Sequence, residues 1–222
     1  MTPSHGFLDV PDTESKWKEI ANELKDRWNF PHCLGEIDGK HVVMQAPARS
    51  GSDYFNYKKT HSIMLLAVCN ARYEFTLIDI GDAGRWRPTP AKIKDTGNKL
   101  YPYVFVAVDA FQLKPHMLKP FARLDSCIKK KIFNYRLSRA RGIIENCFSI
   151  SAARFRIFRR PLIAQVETAN LITKAVVALH NFLMKSQENH GEYRYCPPGF
   201  VDTENGAASQ LGDWRNETNG YT

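Results

Sequence analysis

The sequence predicts a mixed α/β fold, with three antiparallel strands and one further strand in a mixed sheet flanked by helices. Three observations carry that expectation. Three apolar-rich segments follow one another between Glu36 and Ile80 with turn residues between them. A separate run of β-branched and aromatic residues lies over 103–108, beyond a stretch rich in breakers. Long segments with helical periodicity then dominate the second half.

Taken in order, residues 1–14 are polar and Pro-containing and read as a flexible arm. Trp17, Ile20, Leu24 and Trp28 recur at helical spacing from about Ser15, and Pro31 closes that helix. Strands are expected over Glu36–Met44, Ser62–Cys69 and Glu74–Ile80, with Asn70-Ala71-Arg72-Tyr73 as a hairpin turn between the last two. Residues 81–100 lack periodicity and contain Gly81, Gly84, Pro88 and Pro90, so they read as an irregular loop. Tyr103–Val108 suits a buried strand, and Leu113–Pro120 is basic and interrupted by proline. Two helices follow, about Ser138–Phe158 and about Thr168–Met184. The second carries Leu171, Ile172, Ala175, Val176, Leu179, Phe182 and Leu183 as an apolar stripe. Residues 187–222 turn polar and Gly-rich and are expected to be irregular, leaving 15–186 as the single folded domain.

At 222 residues with 43% apolar content, the chain can bury a sizeable core. Its five cysteines are scattered without a C-x-x-C pair, which argues for reduced thiols and an intracellular protein and against a disulfide frame or zinc site. No apolar run approaches the length of a membrane span. Charge is unevenly placed. Between Phe121 and Arg160 stand eleven Lys or Arg against Asp125 and Glu145, a balance of +9 in a chain whose total is +8. Lys129, Lys130, Lys131, Arg139, Arg141, Arg154, Arg156, Arg159 and Arg160 are therefore candidate phosphate-contacting residues. A solvated helical face is the plainer reading of the same residues.

The chain's strand and helix carboxylates are candidates for phosphodiester chemistry, which uses divalent cations held by oxygen ligands on rigid elements. Asp38 lies among apolar strand residues and is followed by Gly39, which permits close approach; Asp38-Gly39 also reads as a turn. Asp79 is a second strand aspartate. Glu145 stands four residues after Arg141 on a helix, a spacing that an i,i+4 salt bridge would also explain. None of these signals is specific alone.

Five stretches in a fixed order raise the reading above its parts. They are Phe30-Pro31-His32-Cys33-Leu34-Gly35-Glu36-Ile37-Asp38-Gly39-Lys40-His41-Val42, Ser50-Gly51-Ser52-Asp53-Tyr54-Phe55-Asn56-Tyr57-Lys58 and Ala110-Phe111-Gln112-Leu113-Lys114-Pro115, then Phe133-Asn134-Tyr135-Arg136-Leu137-Ser138-Arg139-Ala140-Arg141 running to Glu145-Asn146, and Leu179-His180-Asn181-Phe182-Leu183. Over roughly Trp17–Arg215 the chain resembles the PIF/Harbinger transposases and the nuclease-like proteins derived from them, within the DDE superfamily. The resemblance implies an RNase H-like fold and a site of two aspartates and one glutamate holding Mg²⁺ or Mn²⁺. It also implies DNA as substrate, a Myb-like (SANT-type) protein partner, and residence in the nucleus, with the cytoplasm as a second compartment.

Carried across, the first aspartate falls on Asp38 and the glutamate on Glu145. The second belongs to a small-Asp-x-Ala-Phe motif, which here reads Ala107-Val108-Asp109-Ala110-Phe111. The expected position holds Val108, and Asp109 is its neighbour. Strand side chains alternate, so Asp109 replaces the missing acid only if the strand ends or bulges there. Asp82 is a further candidate for a displaced third acid. The segment before Tyr101 is shorter than in the resembled proteins and has Arg85-Trp86-Arg87-Pro88-Thr89-Pro90 where they carry a Ser-Asp-Gly-Gly-like motif. Two functions follow as expectations: a divalent-metal-dependent DNA endonuclease-like domain impaired at Val108, or a non-catalytic scaffold that binds DNA or a Myb-like partner.

Overall fold

In the computed structural model the described residues are 8–81, 103–108, 111, 114–122, 127–189, 195–205 and 208–216. Most of the arm, the loop at 82–100, Asp82 and Asp109 lie outside them.

Helix α1 spans Glu14–Trp28. Thr13 caps it by accepting the Lys16 N–H, and Asn29 ends it in the left-handed conformation (φ 51°), where a short polar side chain is tolerated. Five strands form one sheet: β1 Cys33–Met44, β2 His61–Cys69, β3 Phe75–Gly81, β4 Val104–Ala107 and β5 Met117–Leu118. The order is β3-β2-β1-β4-β5, with β1–β3 antiparallel and β4 and β5 running parallel to β1 and β4 respectively. This five-stranded mixed sheet with helices on both faces is consistent with an RNase H-like fold. Helices α2 (Ile128–Arg154) and α3 (Val166–Asn189) follow, then a hairpin of β6 (Thr203–Asn205) and β7 (Ala208–Gln210).

The sheet separates two apolar layers. Trp17 and Ala21 of α1 pack on Leu34, Ile37, Val68, Phe105 and Ala107. On the other face Ile143, Ile144, Cys147 and Phe148 of α2 meet Val42, Met44, Leu65, Ala67 and Val106. A bulge in β1 between Cys33 and Glu36 accommodates Gly35 at φ +142°. A Cβ there would stand 2.5 Å from Val68 Cγ1 and 2.8 Å from the Cys69 carbonyl oxygen, so glycine is required by both space and conformation.

Three expectations need correction. Helix α2 begins at Ile128, ten residues before Ser138, because the basic stretch over 129–131 continues the helix without an apolar stripe to announce it. In α3 the buried face is Ala169, Thr173, Val176, Val177, His180, Asn181 and Met184, whereas Leu171, Leu179 and Phe182 are exposed. Of the expected stripe Val176 is buried and Ile172 and Leu183 pack against the apolar clusters, while the polar His180 and Asn181 are buried in place of Leu179 and Phe182. The segment after 187 is not wholly irregular: Tyr195, Phe200 and Val201 pack with Ile150 and Met184 in a third apolar cluster. Asp202 fastens this segment by accepting from Gly212 N (2.7 Å), Trp214 Nε1 (3.3 Å) and Arg215 Nη2 (2.5 Å).

The buried polar pair on α3 explains its motif. His180 shares hydrogen bonds with the Tyr73 carbonyl at 2.8 Å and the Tyr195 hydroxyl at 3.0 Å, linking the β2–β3 turn to the C-terminal segment. Burial pushes its imidazole down to about 4. Because the folded state resists protonation, the neutral ring's contribution is complete above the ordinary value near 6.5. It is lost as pH falls through about 4, by roughly 3 kcal/mol in all. Urea titrations between those limits are expected to show this loss, and a His180→Gln variant should show a shallower acid limb.

Candidate active site

Strand β1 sets the geometry. Glu36 and Asp38 are two residues apart and share the face that meets α2, since strand side chains alternate. The Ile144 N–H, in the middle of α2, donates to Glu36 Oε2 at 2.9 Å, and Glu36 is only 2% exposed. That contact lays the residue preceding Glu145 against the strand that carries Asp38. Asp38 also accepts from the Gly39 N–H at 2.7 Å, so the turn-like local geometry and the strand position coexist. A Cβ on Gly39 would lie 2.8 Å from Met64 Sδ, in line with the close approach expected there.

Asp38 and Glu145 are both partly buried and electrostatically coupled. Burial is the largest influence on each carboxyl and pushes it up; Arg141 pulls both down, and the Asp38 charge adds to the rise at Glu145. Glu36 is held well above the ordinary carboxylate range, first by burial and then by neighbouring groups that include Glu145 and Asp38. Arg141 Nε stands 4.0 Å from Glu36 Oε1. One guanidinium therefore serves three carboxyls, a wider role than the simple Arg141–Glu145 pair their spacing suggests. Lys40, on the same face, is pushed down by burial and lies 5.9 Å from the Phe148 ring centroid.

The parallel register of β1 and β4 pairs Glu36 with Val106 and Ile37 with Ala107. One step on, Val108 is level with Asp38. Val106 packs in the α2-side core while Phe105 and Ala107 pack on the α1 side, so alternation puts Val108 on the face of Asp38 and Glu145. Strand β4 ends at Ala107, and the Phe111 N–H donates to the Val108 carbonyl at 3.1 Å, so a turn begins immediately. Asp79 takes the other face: Leu66 pairs with both Gly39 and Asp79, whereas Asp38 pairs with Ala67. It is not part of this site.

The donor set fits a hard divalent cation in part. Asp38 and Glu145 are oxygen ligands of the right type, and Mg²⁺ commonly takes only one or two carboxylates. Level with Asp38 on the neighbouring strand the side chain is the aliphatic Val108, and among the described residues no group of three His, Cys, Asp or Glu is arranged to hold a metal ion.

The candidate phosphate contacts fall into four sets. Lys129, Lys130 and Lys131 occupy the first turn of α2; Arg156, Arg159 and Arg160 lie just beyond its other end, roughly 40 Å away by helical rise. They form no continuous patch. Arg154 is tied to the Tyr195 carbonyl and lies 5.6 Å from that ring, so it joins α2 to the C-terminal segment. Arg139 and Arg141 lie between, on a cleft of about 350 Å³ that also includes Glu145, Trp28, Tyr135, Asp202 and Arg215. Sequence reasoning missed Glu36, Tyr135, Asp202 and Arg215. Only Glu36 gave a signal, as an acid two residues before Asp38 on one strand face.

The topology is consistent with an RNase H-like domain in which Glu36 and Asp38 share the sheet face that meets α2 beside Glu145. A family described as "DDE superfamily endonuclease" matches residues 37–181, more than half of the chain, and the chain belongs to it. It is 30% identical over 66 residues to the proteins named "Putative nuclease HARBI1" of Rattus norvegicus and of Bos taurus. That stretch is 30% of this chain and 19% of each relative, so the match spans about a fifth of their length. No solved structure matches. Among the described residues no helix is long and apolar enough to cross a membrane.

Proposed function

We propose that this chain is a transposase-derived, nuclease-like domain that binds DNA and is impaired in cutting it, because Val108 occupies the place of the second metal-binding acid. The observation that carries this reading is the register of β1 against β4, which makes Val108 level with Asp38 on the face shared with Glu145. Asp38 and Glu145 would hold Mg²⁺ or Mn²⁺, which supplies Lewis-acid stabilisation of the phosphate and activation of the attacking oxygen. Arg141 holds the two carboxylates together electrostatically, and Lys129, Lys130, Lys131 and Arg139 would track the phosphate backbone. Nuclear residence and a Myb-like partner belong to the same proposal; they rest on the family likeness and the short Lys129-Lys130-Lys131 run.

Two measurements test the reading. In EDTA the protein is expected to bind duplex DNA with an affinity that falls linearly in log-log against salt, and charge reversal at Lys129, Lys130 and Lys131 should reduce that slope. In Mn²⁺ the parent chain is expected to nick plasmid DNA weakly or not at all. A fully active nuclease is the second reading, favoured by the end of β4 at Ala107 and the turn that follows. Brisk nicking that Asp109→Asn abolishes would establish Asp109 as the third ligand and overturn the proposed impairment.

A further inference from the structure

The cleft beside Glu145 has a chemistry of its own. One wall is α2, with Tyr135, Ser138, Arg139, Gly142 and Glu145 at helical spacing; the other is the C-terminal segment, which contributes Asp202, Leu211 and Arg215. Asp202 is committed to Gly212, Trp214 and Arg215, and this holds Arg215 near enough to Glu145 for their charges to interact. Three guanidiniums face two carboxylates, leaving the lining cationic by one charge. Within the lining the Trp28 indole N–H is buried without a hydrogen-bond partner among the described residues, and Arg141 Nε, which also makes no hydrogen bond, stands 4.0 Å from Glu36 Oε1. Buried donors of this kind favour a ligand that brings acceptor oxygens. Tyr135 is 54% exposed, with the Arg139 guanidinium 5.7 Å from its ring centroid, and so offers an aromatic surface beside a cation.

We propose that this cleft receives one unpaired nucleotide of a DNA strand, its phosphate taken by Arg141 and Arg215 and its base stacked on Tyr135. A volume of about 350 Å³ suits a single nucleotide and excludes duplex. Guanidiniums offer phosphate a planar fork of donors, and an aromatic ring beside cations accepts any base by its π-face. The proposal rests on the DNA-binding reading above and adds to it a preference for a strand end or a locally opened duplex. It does not depend on cleavage.

The test uses the full chain in EDTA, with a fluorescent blunt DNA duplex and the same duplex bearing a single-stranded extension. The extended duplex is expected to bind roughly tenfold tighter, as stacking of one base on an aromatic side chain allows. Tyr135→Ala and Arg215→Ala should each abolish that preference while leaving blunt-duplex affinity within about twofold. Tyr135 lies on an exposed helical face, so Tyr135→Ala keeps the question answerable if Arg215→Ala loosens the C-terminal segment. Equal affinity for the two duplexes, or a preference that survives Tyr135→Ala, overturns the cleft proposal while the DNA-binding reading stands. Failure to bind either duplex overturns both. Displacement of the extended duplex by micromolar free deoxynucleoside monophosphate would assign the cleft to a small nucleotide and overturn its assignment to a strand.

Discussion

Replacing Val108 with aspartate is expected to raise Mn²⁺-dependent nicking of plasmid DNA roughly a hundredfold or more over the parent chain. Val108 is one step beyond the Ile37–Ala107 pair, half-buried, and on the sheet face that carries Asp38 and meets α2. A carboxylate there would stand beside two acids whose carboxyls are pushed up by burial, Glu145 also by the Asp38 charge. Such acids are poor company without a cation and good ligands with one. In metal-free buffer the substitution should therefore lower stability, because a third partly buried acid adds repulsion, and Mn²⁺ should reverse that loss. Combining it with Asp38→Asn should return nicking to the parent level. A gain that persists in the double variant would place the chemistry elsewhere.

The second large effect is structural. Asn181→Ala is expected to cost about 2–4 kcal/mol in urea unfolding, with an unchanged slope. Strand β3 is an edge of the sheet, and its first residue, Phe75, points its backbone N–H and carbonyl away from β2. The Asn181 side chain satisfies both, accepting from Phe75 N at 2.8 Å and donating to Phe75 O at 2.7 Å. It acts as a surrogate strand residue supplied by α3. Alanine would leave both backbone groups buried and unpaired. Aspartate, which can accept but not donate when ionised, should restore little. A variant as stable as the parent would mean that water or a neighbouring residue takes over both bonds.

Part of the fold around the candidate site could be read from the chain alone, for physical reasons particular to its parts. Asp38 stood out because a carboxylate amid β-branched and apolar residues has no place in a strand core unless something pairs with it. The antiparallel set from Glu36 to Ile80 was legible through its hairpin turn, where the Asn70 side chain accepts the Arg72 and Glu74 N–H groups. Val108 stood out only against the motif Ala107-Val108-Asp109-Ala110-Phe111, and its facing became definite only with the β1–β4 register. Other features left no periodic trace. Strand β5 is two residues long and sits next to prolines, so its pairing with β4 is dictated by the sheet and not by its own composition. The early start of α2 was hidden because Lys129 and Lys131 are exposed, Lys130 lies over the Phe121 ring, and none of them contributes to an apolar stripe. The exposed Leu171, Leu179 and Phe182 misled for the opposite reason. Apolar spacing marks a helix face but cannot say that His180 and Asn181 have buried partners waiting for them. Asp202 and Arg215 meet across the β6–β7 hairpin, beside which Phe200, Val201 and Trp214 pack.

We propose that one sheet face retains two acids of a metal site and lacks the third. Anomalous diffraction from crystals of the Val108→Asp variant grown with Mn²⁺, beside crystals of the parent chain treated alike, tests it most directly. The account predicts a manganese peak in the variant about 2–2.3 Å from carboxylate oxygens of Asp38, Glu145 and the introduced aspartate, with a weaker peak or none in the parent. A strong peak in the parent bridging Asp38, Asp109 and Glu145, or a variant whose manganese lies away from Asp38, would contradict it.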